Sequence, residues 1–212
     1  MSMGESWARR SVGVVLYECF ELLDVFGPLE LFGALPDRFE ILLLSEKARP
    51  VRSAQGPIVA ADHSYRDAPR SDIVLVPGGI GTRTLAQDRC FGAWLAAWAA
   101  QAELVTSVCT GSGVLAAARL LDGYRATSNK RAFHWARAQG PQVQWIARAR
   151  WVEDRDRWTS AGVAAGMDMT LALIGRLHSE KLAAAVADRV EYDWHRDATW
   201  DPFAAKNGLV VD

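Results

Sequence analysis

Three short stretches of this 212-residue chain carry residue types that could do covalent chemistry. The first, "LVTSVCTGSGVLAAARLLDG" (104–123), begins as a strand, ends as a helix and sets Cys109 at the joint. Thr110, Gly111, Ser112 and Gly113 are small, which allows a sharp turn and leaves the thiol accessible. A helix starting there points unpaired N–H groups and a positive dipole end at the sulfur, favouring thiolate over thiol and making Cys109 a candidate nucleophile. The plain alternative is a buried, inert cysteine, since free Cys is among the most buried residue types. The strand end, the small-residue turn and the helix start together favour the nucleophile.

A lone thiol needs a proton partner, and "ELLDVFGPLELF" supplies one in Asp24, set in an apolar run where a carboxylate is unfavourable unless hydrogen-bonded or protonated. Pro28 reads as the first turn of a helix, so Asp24 is expected just ahead of that helix, facing the sheet edge. The first strand is expected to end beside the strand carrying Cys109. Burial and a neighbouring thiolate would raise the aspartate's pKa and make it a general acid that also works as a base; merely capping the helix is the other use of an Asp here. In "VPGGIGT" (76–82), two glycines after a strand let backbone N–H groups approach a bound group, and an anionic centre at the sulfur could be met by the amides of Gly79 and Thr110.

These stretches sit in an alternation of strand-like and helix-like runs. "SVGVVLY" (11–17) precedes a helical segment closing near Leu35; "FEILLLS" (39–45) and "DIVLVPGG" (72–79) are buried strands; "FGAWLAAWAA" is a helix with Trp94 and Trp98 on one face. "LVTSVC" and "GSGVLAAARLL" follow as strand and helix, "RWVEDRDRWTS" as a hairpin, and Met167 to about Tyr192 as one or two helices. Such alternation implies an α/β fold with a mostly parallel sheet and helices on both sides, whose chemistry gathers at the carboxyl ends of the strands. Nothing marks a domain boundary, so residues 1–212 are expected to form one domain. The tail from Trp194 is aromatic and irregular, either a packed arm or a dimer contact or pocket rim.

Composition narrows the function. With 24 basic against 25 acidic residues there is no electrostatic case for nucleic acid or an anionic membrane. The first ten residues lack the apolar run of a secretory signal and no apolar run reaches membrane-spanning length, so the expectation is a cytoplasmic protein. Three cysteines, Cys19, Cys90 and Cys109, lack C-x-x-C spacing, which argues against a disulfide framework and a structural zinc site. Cys19 falls in the loop after the first strand and Cys90 just ahead of a helix. His63, His134, His178 and His195 are scattered, and Asp168 near a helix start is explained by the dipole there. "GSG" and "GGIG" lack the rest of a nucleotide-binding pattern, so no cofactor is implied.

Taken together, "VGVVLYECFELLDVFGPLELF", "DIVLVPGGIGT", "VTSVCTGSGVLAAARLLDGYRAT" and "TSAGVAAGMDMTLALI" resemble the DJ-1/PfpI superfamily over nearly the whole chain. The resemblance implies a flavodoxin-like three-layer sandwich of the class I glutamine amidotransferase-like type, a cysteine at a nucleophile elbow, and commonly a homodimer. Within the superfamily the pattern is most similar to the isocyanide (isonitrile) hydratases: "LLDVFGP" matches their aspartate loop at Asp24, and Thr106 to Ser112 match their "TSVCTGS" elbow letter for letter. By that analogy Cys109 attacks the terminal carbon of an isocyanide, Asp24 protonates the adduct and then assists water, and a thioimidate resolves to an N-substituted formamide. Thr110 and Gly79 would assist at the elbow, and Ile80 and Val163 would form apolar walls. Where those hydratases read "ATTHW" this chain reads "ATSNKRAFHW", with Asn129 and Lys130 at the expected histidine and tryptophan. Lys130 is then either an exposed cation at a helix start or a group at the pocket mouth. Other uses of the same elbow are a redox sensor with an oxidisable Cys109, a glyoxalase or amidase-type hydrolase, and a ligand-binding dimer that leaves the thiol unused.

Overall fold

The computed structural model describes residues 8–210; the opening seven residues, included above in the search for a secretory signal, lie outside them. In chain order the elements are β1 (Arg10–Val15), α1 (Leu22–Gly33), β2 (Phe39–Ser45), β3 (Val51–Arg52), β4 (Ile58–Val59), β5 (His63–Ser64), β6 (Ile73–Val76), α2 (Thr82–Leu85) and α3 (Arg89–Ala99). They continue as β7 (Leu104–Ser107), α4 (Gly111–Ala117), β8 (Arg125–Ala126), α5 (Phe133–Gln139), β9 (Gln144–Trp145), β10 (Trp151–Asp154), β11 (Arg157–Ser160), α6 (Ala165–Leu177), α7 (Glu180–Arg189) and α8 (Phe203–Lys206). The expected strands, the hairpin and the paired C-terminal helices are all present.

Seven strands form the central sheet in the order β10-β11-β7-β6-β1-β2-β5, parallel throughout except for the β10–β11 hairpin. Every residue of β6 and β7 is buried. Strands buried on both faces read as continuous apolar runs, which is why "IVLV" and "LVTS" show no alternation and why the sheet is covered by helices on both sides. The helices pack in two groups, α6 with α1 and α7, and α4 with α2 and α5. On α3, Trp94 and Trp98 stack 5.2 Å apart, and Trp98 lies where a side chain at Gly13 of β1 would otherwise sit.

Two expectations about the first strand are corrected. Helix α1 starts at Leu22, so Asp24 lies in its first turn rather than ahead of it, and Pro28 sits inside the helix. The apolar run from Leu22 is already helical, and the helix runs on past Pro28 although the proline has no N–H to offer the preceding turn. Strand β1 also does not adjoin β7: β6 lies between them, pairing with both. Asp24 therefore meets the elbow across the end of β6. Cys90, expected ahead of a helix, is in the first turn of α3, where its N–H donates to the capping Asp88 carboxylate.

Candidate active site

Strand β7 ends at Ser107, and within two residues the chain reverses into α4 through Cys109. Its φ of +58° is a left-handed conformation that a residue with a Cβ holds only when its surroundings compensate. Three hydrogen bonds do so: the Cys109 N–H donates to the Ala161 carbonyl (3.3 Å), and the Cys109 carbonyl accepts from Ser128 Oγ (3.0 Å) and Ser112 Oγ (3.2 Å). Gly111 lets α4 start hard against β6, since a Cβ there would stand 2.1 Å from the Val76 carbonyl oxygen. The small-residue turn foreseen in the sequence is thus a packing requirement.

Around the sulfur, the Thr110 N–H and the Asn129 side chain act as hydrogen-bond donors, and a Cβ at Gly162 would lie 3.1 Å from Sγ. Asp24 is fully buried; its Oδ2 accepts from the Gly78 N–H at 2.8 Å. Its Oδ1 has no nitrogen or oxygen partner among the described residues, and the carboxyl instead interacts with the Cys109 thiol. Burial raises the Asp24 pKa well above the ordinary carboxylate range, against the opposing pull of the Gly78 N–H and the thiol. Burial likewise pushes the Cys109 thiol up, reinforced by Asp24 and opposed by Thr110 and Asn129. The thiolate anticipated from the start of α4 is therefore not the resting state: desolvation outweighs the donors and keeps the proton on Cys109.

The other expected participants fall as follows. The Thr110 hydroxyl accepts from the Gly79 N–H (3.1 Å) and lies 3.2 Å from Thr82 Oγ1, so the Gly79 amide is engaged by Thr110 while the Thr110 amide faces the sulfur. Gly79 has φ +125°, and a Cβ on it would collide with the Cys19 carbonyl oxygen at 2.4 Å. Val163 is half-buried, next to Gly162. Ile80 is 63 % exposed and lines a cleft of about 910 Å³ that also includes Cys19, Cys90, Tyr65 and Trp94. Hydrogen bonds from Gly81 N–H to the Cys19 carbonyl (3.2 Å) and from Glu21 N–H to the Gly78 carbonyl (2.8 Å) join the two loops beside it.

Lys130 takes neither of its two expected roles. It is buried, with Nζ donating to Thr127 Oγ1 (2.7 Å) and paired with Asp201 at 3.0 Å, so it fastens the C-terminal arm under the loop that presents Asn129. Asp168 is likewise more than a dipole partner: fully buried, it pairs with Arg150 at 2.5 Å and accepts from Tyr192 Oη and the His195 N–H. Sequence reasoning missed Tyr17, whose hydroxyl donates to the carbonyls of Pro77 (2.6 Å) and Gly78 (2.8 Å) and holds the glycine turn against β1. It also missed Arg83, electrostatically coupled to Cys109, and Ser128. Nothing in their local sequence marks them, because each acts across a long loop closure. Among the described residues no group of three or more potential ligands could hold a metal ion, and no helix is long and apolar enough to cross a membrane.

Residues 10–176 match the sequence profile of the DJ-1/PfpI family. An isonitrile hydratase of Pseudomonas putida is 36% identical over 183 residues, covering 85% of this chain and 78% of the hydratase. The HTH-type transcriptional regulator GbdR of Pseudomonas aeruginosa is 34% identical over 87% of this chain, which spans about half (51%) of the regulator's length. In three dimensions, the crystal structure of a ThiJ/PfpI family protein from Pseudomonas syringae superposes with a TM-score of 0.82 at 31% identity, covering 92% of this chain and 82% of that one.

Proposed function

The chain belongs to the DJ-1/PfpI family, and from that premise we propose that it is a cofactor-independent hydratase that adds water to isocyanides through Cys109. The observation that carries this reading is the buried Asp24–Cys109 pair, two acids in contact whose pKa values burial raises. Addition to an isocyanide consumes a proton as well as a nucleophile. As the Cys109 sulfur bonds the terminal carbon, the thiol proton, relayed by the Asp24 carboxyl, ends on that carbon, giving a thioimidate. Water then adds to the thioimidate carbon as one of its protons passes, through the Asp24 carboxyl, to the imine nitrogen. The carbon–sulfur bond breaks, the second water proton passes from oxygen to the departing sulfur, and the product is an N-substituted formamide. A thiol held protonated suits a reaction that needs sulfur and proton together. Asn129 and the Thr110 N–H support the sulfur while it carries charge, and Val163, beside the Gly162 that adjoins the sulfur, offers an apolar wall for an uncharged isocyano group.

Purified protein incubated with alkyl and aryl isocyanides is expected to release the matching formamides. Cys109→Ala should abolish turnover while leaving the thermal midpoint within a few degrees of wild type. Absence of formamide from all of them would reject this activity. It would favour a second reading, a small-molecule-binding domain whose thiol is not used, which draws support from the protonated state of Cys109 and the likeness to a transcriptional regulator. We also read the protein as a homodimer, on the strength of Leu23 and Phe26, each 42 % exposed and one turn apart on α1.

A further inference from the structure

Arg83 carries a charge that no acidic group among the described residues neutralises. Half-buried as the second residue of α2, it donates one N–H to Thr82 Oγ1 at 2.8 Å and lies over the Trp135 ring at 3.7 Å. Neither partner is anionic. A guanidinium has five N–H donors in a planar fork, and beyond the bond to Thr82 none of them is engaged among the described residues.

Its place relative to the nucleophile is set by a short chain of contacts. Thr82 Oγ1 accepts from Arg83, donates to the Gly79 carbonyl at 2.6 Å and lies 3.2 Å from Thr110 Oγ1, so a short chain of polar contacts joins the guanidinium to the residue that follows Cys109. Trp135 is fixed to the same helix: a Cβ at Gly113 of α4 would stand 2.4 Å from its ring. Stacking and hydrogen bonding therefore hold the cation ready beside the elbow, and its charge is felt by Cys109 and Tyr17. Asp24 does not quench it, being fully buried with its Oδ2 accepting from the Gly78 N–H, and the Glu21 carboxylate is engaged by Gln55 Nε2 at 2.7 Å. A partly desolvated cation without an anion is unfavourable until a ligand supplies one, and the planar fork matches a carboxylate in two-point contact.

Resting on the hydratase reading above, we propose that Arg83 is a specificity-determining residue that binds a carboxylate on the substrate's N-substituent, so that the preferred substrates are isocyano carboxylates. Thr82 and Trp135 position the guanidinium, and Cys109 meets the isocyano carbon of the anchored molecule.

Two reagents of nearly equal size, iodoacetate and iodoacetamide, test the anchor without any turnover. Alkylation of Cys109 is followed peptide by peptide, because Cys19 and Cys90 are exposed and also react. The ratio of the iodoacetate rate to the iodoacetamide rate at Cys109 should fall about tenfold in Arg83→Gln and recover in part in Arg83→Lys, with the difference shrinking at high salt. An unchanged ratio overturns the proposal, whether both rates hold or both fall together, the latter meaning that Arg83 acts on the thiol itself. With isocyanoacetate and its methyl ester as substrates, the acid-to-ester ratio of kcat/KM should fall by a similar factor in Arg83→Gln, through KM. Failure of the wild-type protein to hydrate either compound overturns the hydratase reading alone, since the alkylation ratio still decides the role of Arg83.

Discussion

Burial raises the pKa of both the Asp24 carboxyl and the Cys109 thiol, and this has a consequence for stability as well as for chemistry. Asp24 has a folded pKa raised by burial above the value near 3.9 of an unfolded chain. Above that pH the folded protein binds more protons than the unfolded one, so stability is fully present at low pH and is lost as pH rises toward the folded pKa. Asp24→Asn keeps an acceptor for the Gly78 N–H and removes the titration. Its thermal midpoint should exceed that of wild type by an amount that grows from pH 4 to pH 8, while its isocyanide turnover falls by at least two orders of magnitude. A variant less stable than wild type at pH 8 would mean that the carboxyl is held as the anion. Of the site itself, the sequence marked Cys109 by the turn around it and Asp24 by its apolar surroundings. It could not mark their charge states, because these depend on burial contributed by residues such as Gly78 and Gly162, far away along the chain.

Between elements, the elbow depends on what lies beneath it. The loop from Thr127 to Ala132 presents Ser128 to the Cys109 carbonyl and Asn129 to the sulfur, and the Lys130–Asp201 pair ties that loop to the arm before α8. Both charged side chains are within 3 % of full burial. Removing one partner leaves the other charge uncompensated, so Asp201→Ala should lower the unfolding free energy by roughly 3–5 kcal/mol in urea titrations. The double variant Lys130→Met with Asp201→Leu should recover most of that loss, because apolar side chains of similar volume replace a buried pair at little net cost. Recovery of stability without recovery of turnover would show that the pair also sets the position of Asn129. A lysine in "SNKRAFHW" reads from its neighbours as a surface residue; only the return of the C-terminal arm, seventy residues later, puts an acid against it.

At the scale of the whole molecule, the parallel sheet gathers the ends of β1, β6 and β7 on one rim, and the apolar face of α1 stays partly open beside it. Phe26→Glu, placed on that exposed face, is expected to shift the protein from dimer to monomer in sedimentation or light scattering. A wild-type monomer at micromolar concentration, or a variant that remains dimeric, would remove α1 from the interface.

The alternation of strands and helices, the sharp turn at Cys109 and the acidic residue in an apolar run were all determined by local sequence, because each rests on periodicity, residue size or polarity within about a dozen residues. Tertiary structure alone decided that β6 separates β1 from β7, that Asp24 reaches the elbow from inside the first turn of α1, that Lys130 is buried and paired, and that Arg83 is placed near Cys109 with no acid paired to it among the described residues. The physical reason is the same in each case: burial and charge pairing are properties of what other segments bring to a place, and no single segment encodes its neighbours.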